Sequence, residues 1–329
     1  MTEYVIRRFF LALVTIWIVL TFVFFVLRVL PGDYAEQQLA NQILATGART
    51  EEARADQLRQ IRARLGTDKS LPEQYGRFWW NILQGKSEMS FRKAQPAFTV
   101  AGDALPYTLQ LGVMSLIIAV LLALPVGVLS AVRPDGFLDA ALRVFAILFL
   151  AAPAFLTAAI AGAYAVKYDI LNIGVTSQQL LWDSPWESFQ LFIVPALAGG
   201  LAVGAILMRF LRSGMLEVLR QDYVRTARAK GLAGSVVIAR HVLRNALIPV
   251  VTIFGFLVAA LVAGNVVLES MFAIPGMGNE ILAAIRFRDI PVTQTFTLLL
   301  VGAVVFVNLA VDLSYFLIDP RVTVSGAES

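Results

Sequence analysis

Residues 208–249 read MRFLRSGMLEVLRQDYVRTARAKGLAGSVVIARHVLRNALIP and form a basic segment in an otherwise apolar sequence. Eight Arg or Lys residues and two acidic residues fall within 209–244, and apolar runs flank them on both sides. Residues 222–232 predict a short helix that ends at Gly231, because alanine and arginine favour helix and glycine is preferred just after a helix end. A basic helix between two membrane spans is placed to contact a cytoplasmic partner.

The composition indicates a membrane protein. Of the 329 residues, 58% are hydrophobic and 15% are charged, whereas soluble domains have about 45–50% apolar and about 25% charged residues. The net charge of +4 requires no nucleic-acid partner, since cytoplasmic loops of membrane proteins concentrate Lys and Arg. Cysteine is absent and His241 is the single histidine, so we predict neither disulfides nor a metal site.

Six segments are long and apolar enough to cross a bilayer, which takes about 20 residues. They are residues 9–30, 104–132, 138–166, 189–211, 245–268 and 291–318. Such continuous runs satisfy their own backbone hydrogen bonds in lipid only as helices. The first is too long for a signal peptide and no Ala-x-Ala site follows it, so we expect it to be retained. The predicted fold class is an all-α membrane protein with six transmembrane helices.

Loop charges orient these spans, since cytoplasmic loops carry an excess of Lys and Arg. Placing the N-terminus inside also places the basic segment inside, with its eight cations. The loops at 167–188 and 269–290 are then outside, and they carry one and two cations. We therefore predict that both termini are cytoplasmic.

The segment 31–103 carries ten basic and nine acidic residues, and a segment this long can cross the membrane regardless of charge. We predict that it is an extracytoplasmic helical insertion after the first span. One helix begins at Thr50 and ends at Gly66, and a second begins at Pro72 and ends near Gly85. The predicted domains are the first transmembrane helix (1–30), the insertion (31–103), a five-helix core (104–318) and a cytoplasmic tail (319–329).

The chain shows no means of powering transport by itself. The tripeptide at 85–87 resembles the end of a phosphate-binding loop, but Trp80 occupies the position of the first glycine and no strand precedes it. No paired catalytic carboxylates, Ser/His/Asp set or HExxH helix is present. We therefore predict a non-catalytic subunit, for which the energy comes from a partner or from an ion gradient.

Two polar residues, Asn308 and Asp312, lie inside the last predicted span. Ionisable residues in spans are typical of ion-coupled transporters, so an ion-coupled secondary transporter is one alternative. We favour a simpler interpretation, in which Asp312 pairs near the interface with Arg7, Arg8 or Arg209.

The outer loop after the fifth span predicts a structured cap or outer gate. Its candidate residues are Glu269, Phe272, Pro275, Gly276, Gly278 and Asp289. Pro275 and Gly276 suit the corners of a turn, because proline fixes φ at the first corner and glycine accepts a positive φ at the next.

Four sets of residues, spread over nearly the whole chain, carry a resemblance to a known family. They are Arg7-Arg8 with Leu30-Pro31-Gly32-Asp33; Leu65-Gly66-Thr67-Asp68 with Gln74-Tyr75 and Leu105-Pro106-Tyr107-Thr108-Leu109; 222–232 with Arg244-Asn245-Ala246-Leu247-Ile248-Pro249; and Glu269 to Gly278 with Asn308, Asp312, Tyr315 and Asp319-Pro320-Arg321. Together they resemble the membrane-spanning subunit of an ABC importer, in particular the first permease subunit of the dipeptide/oligopeptide/nickel group.

This resemblance implies a role for the basic segment as the EAA-type coupling loop, at 213–244, whose short helix sits in a groove on an ATPase subunit. The implied coupling residues are Asp222, Tyr223, Arg225, Thr226, Ala227, Arg228, Lys230, Gly231 and Leu232. General importers have glutamate where Arg225 stands, whereas peptide-type permeases have arginine. ATP and Mg would be bound by partner chains, and no cofactor is expected in this one.

The resemblance also implies the partners and the location. They are a second homologous permease in a heterodimer, two ATPase subunits or domains, an extracytoplasmic substrate-binding lipoprotein or periplasmic protein, and membrane lipid. The location is the bacterial cytoplasmic (inner) membrane, and di- or oligopeptides are the favoured cargo, with nickel chelates, opines or sugars as alternatives. Residues 85–88 depart from the Gly-Asp-Leu-Gly-like run of the family. A non-transport membrane scaffold is a further alternative.

Overall fold

The structure is a computed structural model that describes residues 2–29, 35–36, 39, 51–171 and 179–318. At residues 2–5, 29, 51–54, 64–65, 262–264 and 311–318 it describes the backbone alone. The Leu-Pro-Gly-Asp motif at 30–33, the predicted helix start at Thr50 and the tail at 319–329 lie outside the described residues.

The described chain is almost entirely helical, as predicted. Its helices are α1 (Thr2–Val29), α2 (Glu51–Leu65), α3 (Leu71–Leu83), α4 (Ala97–Val132), α5 (Phe137–Ala151), α6 (Ala154–Lys167), α7 (Pro185–Leu219), α8 (Asp222–Ala229), α9 (Gly234–Val236), a π-helix (Val237–Leu243), α10 (Arg244–Gly264), α11 (Val266–Met271), α12 (Met277–Arg286) and α13 (Ile290–Ile318). Extended pairing within the described ranges is limited to a single bridge between Met89 and Pro96.

In the described part of the chain, five continuous helical segments are long and apolar enough to cross a membrane: Ile6–Arg28, Ala97–Val132, Pro185–Leu219, Gly234–Leu261 and Ile290–Ala310. The predicted third span, 138–166, is not one continuous helix, which corrects that expectation. It consists of α5 and α6, of 15 and 14 residues, bent by 100°. Over the described residues there are thus five continuous candidate spans, or six when the bent pair counts as one span, and the all-α membrane fold agrees with the predicted class.

Proline causes the break between α5 and α6. Ala152 adopts an extended conformation (φ −77°, ψ 125°), which a following proline favours because its ring disfavours the helical region for the residue before it. Pro153 then starts α6 as its N-cap. Pro125, Pro195 and Pro249, by contrast, lie inside helices that continue through them.

The chain forms two compact units, one of residues 1–105 and 279–302 and the other of residues 106–278 and 303–329. In the first unit, Leu20 and Phe24 of α1 form a buried cluster with Phe78 of α3. Tyr75 Oη and Thr21 Oγ1 are 2.9 Å apart in a hydrogen bond. Aromatic burial therefore holds the predicted insertion helix α3 against the first span.

Glycine ends both helices of the insertion, as predicted. Gly66 and Gly85 have φ of +71° and +67°. The N–H of Thr67 donates to Arg62 O at 3.0 Å, and that of Lys86 to Asn81 O at 2.8 Å. These are the 6→1 bonds of Schellman motifs. Such a motif needs one residue in the left-handed backbone conformation, which only glycine adopts without strain.

In the second unit, α7 is the central helix and packs against α5, α6 and α10. Small residues let it approach α4 closely: a Cβ at Gly200 would lie 2.8 Å from Ser115 O, and one at Gly204 would lie 3.2 Å from Ala119 O. Such small-residue contacts are typical of helix packing in membranes. The buried core of this unit includes Leu211 and Met215 from the end of α7.

Candidate functional site

The predicted helix in the basic segment is α8. Asp222 lies in its first turn and Arg228 in its last, which matches the sign of the helix dipole at each end. Gly231 has φ +76°, and the N–H of Leu232 donates to Ala227 O at 3.4 Å. The helix therefore ends in a third Schellman motif at the glycine that the sequence indicated.

Helix α8 has one apolar face and one charged face. Val224 is 0% exposed and Ala227 is 6% exposed, and both belong to the same buried core as Leu211 and Met215. Arg225, Arg228 and Lys230 are exposed. Two small apolar side chains thus seat the helix on the end of the bundle, while its cations face solvent.

The charged face is available to a partner. Arg225 Nη1 lies 3.6 Å from Asp222 Oδ1, and both side chains are largely exposed. An exposed pair of this kind contributes about 0–1 kcal/mol, so it offers little resistance to a competing carboxylate. A partner with acidic residues would bind these cations at low cost.

A hydrogen bond ties α8 to the start of α10. Asn245 Nδ2 donates to Tyr223 Oη at 2.9 Å and to His241 O at 3.0 Å. Between these helices lies the seven-residue π-helix, a rare conformation that often occurs at functional sites. This π-helix was not predicted, and neither proline nor glycine falls within Val237–Leu243 to mark an irregular helix.

Substituting Gly231 with alanine is expected to loosen α8 locally. A Cβ there meets no atom within 4 Å, so the cost is that of the left-handed φ, about 1 kcal/mol. Hydrogen exchange of the α8 amides should accelerate about fivefold. Gly234→Ala is the control, because it too has open space and its φ is not positive. Equal exchange in both variants would contradict the role given to Gly231.

The predicted cap is built on a buried carboxylate. Glu269 is 0% exposed; its Oε1 accepts from Thr108 Oγ1 at 2.7 Å, and its Oε2 accepts from Gly278 N at 2.7 Å. Thr108 Oγ1 in turn accepts from Met277 N at 2.8 Å. Charge-assisted bonds of this kind offset the cost of burying the carboxylate. Glu269 therefore connects Met277 and Gly278, the first residues of α12, to Thr108 of α4.

Two of the predicted cap glycines are needed for space. A Cβ at Gly276 would overlap the Glu269 carboxylate, and one at Gly278 would lie 2.6 Å from Val266 Cα. The expected positive φ at Gly276 is wrong: among the described residues of the loop at 269–290, positive φ values belong to Ala273, at 51°, and Arg288, at 53°. Phe272, half-buried, packs against the core that contains Leu111 and Phe192, and Pro275 is half-buried.

Asp289, which the sequence grouped with this cap, has its own set of partners. Its Oδ2 accepts from Ser90 Oγ at 2.5 Å and from Arg92 N at 3.1 Å, and its Oδ1 accepts from Phe91 N at 3.1 Å. Glu280 accepts from Lys93 Nζ at 2.8 Å. Both acids therefore anchor the loop between α3 and α4, in which the 85–88 departure lies.

Glu88, within residues 85–88, forms an ion pair with Arg77. Its Oε1 lies 3.5 Å from Arg77 Nε, and its side chain is 21% exposed. Burial raises the pKa of the Glu88 carboxyl, and the charges of Arg77 and Arg28 act in the opposite direction. The departure therefore places an acid against two cations of the first unit.

The predicted intramembrane polar residues both fall on α13. Asn308 is exposed. The structure describes the backbone alone at Asp312, so its pairing with Arg7, Arg8 or Arg209 stays a prediction.

Sequence reasoning missed a buried ion-pair cluster around Asp139, the third residue of α5. Arg212 on α7 donates Nε to Oδ1 at 2.9 Å and Nη2 to Oδ2 at 2.8 Å. Ser130 Oγ donates to Oδ1, and Asp135 N donates to Oδ2 at 3.0 Å. Arg143 Nε lies 3.4 Å from Oδ2. The available sequence signal was Asp139, which lies four residues before Arg143 at the start of an apolar run.

Comparison with known proteins gives full-length matches. Residues 123–324 match the family "Binding-protein-dependent transport system inner membrane component", and residues 1–112 match "Binding-prot-dependent transport system membrane comp, N-term". A putative peptide permease protein of Brucella suis biovar 1 is 34% identical over 340 residues, which cover 99% of this chain and 100% of that protein.

A glutathione transport system permease protein of Pectobacterium atrosepticum is 35% identical over 324 residues, covering 98% of this chain and 99% of that protein. Among solved structures, an inward-facing conformation of the MetNI methionine ABC transporter aligns with a TM-score of 0.51 and 18% identity. The alignment covers 68% of this chain and 97% of that chain. At that identity the likeness concerns the fold alone.

Proposed function

The chain belongs to the family of inner-membrane components of binding-protein-dependent transport systems, and we propose that it carries peptides and couples to its ATPase through α8. Family membership confirms the predicted resemblance: this is a multi-pass inner-membrane permease subunit of an ABC importer. It also favours this function over the ion-coupled and scaffold alternatives.

The proposed substrate is a di- or oligopeptide. The names of two full-length relatives support it, one a putative peptide permease and the other a glutathione permease, since glutathione is itself a tripeptide. Nickel chelates and other small solutes are the alternative cargo. Arg225, at the position where peptide-type permeases have arginine, also supports the peptide group.

The coupling role rests on one observation: α8 is seated by Val224 and Ala227 and presents its cations outward. In this proposal Arg225, Arg228 and Lys230 pair with acids in a groove of a cytoplasmic ATPase. The bond between Asn245 and Tyr223 would then transmit movement of α8 to α10. ATP and Mg would be held by the ATPase, with no cofactor in this chain.

The proposed assembly contains this chain, a second homologous permease, two ATPase subunits or domains and an extracytoplasmic binding protein. In it the basic segment and both termini face the cytoplasm, and the insertion faces outward. The positive-inside distribution of charge supports this orientation.

Uptake by the complete transporter tests the substrate. The transporter, reconstituted in proteoliposomes with its binding protein, should accumulate labelled trialanine only when ATP is supplied on the ATPase side. A nickel–histidine chelate should compete poorly. Uptake of the chelate without uptake of trialanine, or of any other short peptide, would assign the transporter to the alternative cargo.

Reversing two charges on α8 should weaken coupling. Arg225→Glu combined with Arg228→Glu replaces attraction by repulsion toward an acidic groove, and we expect about tenfold weaker retention of the ATPase on purification. The matched control is Arg59→Glu with Lys69→Glu, the same charge change at exposed residues of the insertion. Unchanged ATPase retention in the α8 variant would count against coupling through this face.

A further inference from the structure

A groove of about 110 Å³ lies between α5 and α7, two helices of the second unit that pack against each other. Apolar side chains make up most of its lining, and the charged side chains that line it are three arginines, Arg143, Arg209 and Arg212. None of the three belongs to α8, the helix that carries the proposed contact with the ATPase. The groove therefore needs an explanation of its own.

The lining residues form one stripe on each helix. The stripes consist of Arg143, Ala146, Ile147 and Leu150 on α5, and of Ala205, Met208, Arg209, Arg212 and Ser213 on α7. Spacings of three and four residues place side chains on one face of a helix. Arg143 and Arg212 meet at Asp139. Leu150 and Ala205 lie seven residues away from these arginines, in opposite chain directions, so the groove has a cationic end and an apolar end.

The cationic end lies at the edge of the hydrocarbon core. No charged residue occurs between Glu187 and Arg209, so residues 188–208 form an uncharged stretch of α7. At about 1.5 Å per residue this stretch extends roughly 32 Å, which matches a hydrocarbon core of about 30 Å. Arg209 and Arg212 therefore lie where the core ends and the phosphates of the lipid headgroups begin.

The cationic end carries more positive than negative charge. The buried Asp139 accepts from Nε and Nη2 of Arg212 and lies 3.4 Å from Arg143 Nε. Asp135, an exposed acid, adjoins this cluster. Arg209 is exposed, and no ion pair joins it to a side chain that the structure describes. The three guanidinium groups therefore outnumber the acids beside them, and an anion would complete the balance of charge.

The apolar end is open on the side of α5. Ile147 is 60% exposed and Leu150 is 42% exposed, whereas Ala205 and Met208 are buried. At this depth the medium around exposed apolar side chains is the acyl chains of lipid. A phosphate ion alone would leave these walls uncovered, whereas an acyl chain would cover them. A ligand that suits both ends is therefore an amphipathic molecule with an anionic head.

We propose that this groove binds one anionic phospholipid, whose phosphate accepts from Arg209 and Arg143 and whose acyl chain lies along the α5 wall. Guanidinium groups bind phosphate oxygens strongly, and basic pockets between membrane helices are typical sites for anionic headgroups. The surplus positive charge favours a lipid of net negative charge over a zwitterionic one. Its assignment to the inner leaflet rests on the proposed function, whereas the binding itself does not. With Arg209 at the lipid, Arg7 and Arg8 are the remaining candidate partners of Asp312.

Native mass spectrometry of the complete transporter, delipidated in detergent, measures this binding. The wild type should retain phosphatidylglycerol more strongly than phosphatidylcholine. Arg209→Gln keeps the pair of Asp139 and Arg212, and it should weaken phosphatidylglycerol retention about fivefold, the contribution of one cation near a phosphate. The matched control is Arg220→Gln, the same charge change at an exposed residue about 16 Å further along α7, which should retain the lipid as the wild type does.

A photoactivatable phosphatidylglycerol locates the lipid. With a diazirine in its acyl chain, it should label the α5 segment that contains Ile147 and Leu150. This labelling should be about fivefold weaker in Arg209→Gln and unchanged in Arg220→Gln. Glycerol phosphate, which has the phosphate and no acyl chain, should not compete at equal concentration.

Several results would overturn the lipid site. They are equal retention of the two lipids by the wild type, equal effects of Arg209→Gln and Arg220→Gln, absence of label from α5 because another chain covers it, and competition by glycerol phosphate. These measurements use neither a peptide substrate nor a defined orientation. Their failure would therefore leave the proposed function unchanged, and a cargo other than peptide would leave the lipid site unchanged.

Discussion

Substitution of Asp139 with alanine is expected to lower the stability of the permease by about 3–5 kcal/mol, as for other buried ion pairs that lose one partner. The Asp139 side chain is completely buried, and Arg212 donates two hydrogen bonds to it. Its removal leaves the guanidinium, 16% exposed, with an uncompensated charge. The apparent Tm of the solubilised transporter should fall by on the order of 10 °C.

Two comparisons make this prediction specific. Asp56→Ala removes an acid whose partner, Arg59, lies 3.7 Å away with both side chains largely exposed, and it should change the Tm little. Asp139→Leu combined with Arg212→Leu should restore most of the lost stability, because two apolar side chains replace the charged pair. A double variant no more stable than Asp139→Ala would contradict the ion pair as the cause.

Substitution of Gly276 with alanine should lower the free energy of unfolding by about 3–5 kcal/mol. The new Cβ would lie within 2.6 Å of Glu269 Oε1, so the carboxylate must leave the position in which Thr108 and the Gly278 N–H bind it. Overpacking contributes about 1–3 kcal/mol, and an unpaired buried charge contributes at least as much. Thermal unfolding of the solubilised transporter measures the loss.

Gly112→Ala is the control for adding a Cβ to a helix in the membrane without a clash, because a Cβ at Gly112 meets no atom within 4 Å. In a Glu269→Ala background the carboxylate that the new Cβ would overlap is absent. Gly276→Ala should then change the free energy of unfolding little. The two substitutions should therefore be strongly non-additive. Additive losses would show that Gly276 acts through something other than the carboxylate.

Much of the fold could be predicted because the bilayer imposes it. Long apolar runs had to be helices, and the glycines at 66, 85 and 231 mark helix ends through local backbone conformation alone. The sequence alone did not distinguish Pro153, where the helix breaks, from the prolines inside helices that continue. The chain continues helically through Pro125, and whether proline bends or ends a helix depends on what packs around it.

The sites were predictable only where local sequence determines them. The ends and the charged face of α8 follow from its residues and their spacing. The carboxylate networks do not, because Thr108 and Glu269 are 161 positions apart and Ser90 and Asp289 are 199 apart. Gly276 was assigned a conformational role, whereas the space it leaves is what Glu269 uses.

The orientation and contact of α8 are the central claim, and a single cysteine at Arg228 tests both. In sealed vesicles, a membrane-impermeant maleimide should label Arg228→Cys from the cytoplasmic face and not from the outer face. In the assembled transporter, a short bifunctional cross-linker should join that cysteine to the ATPase. Labelling from the outer face, or no cross-link in an actively transporting complex, would contradict the account.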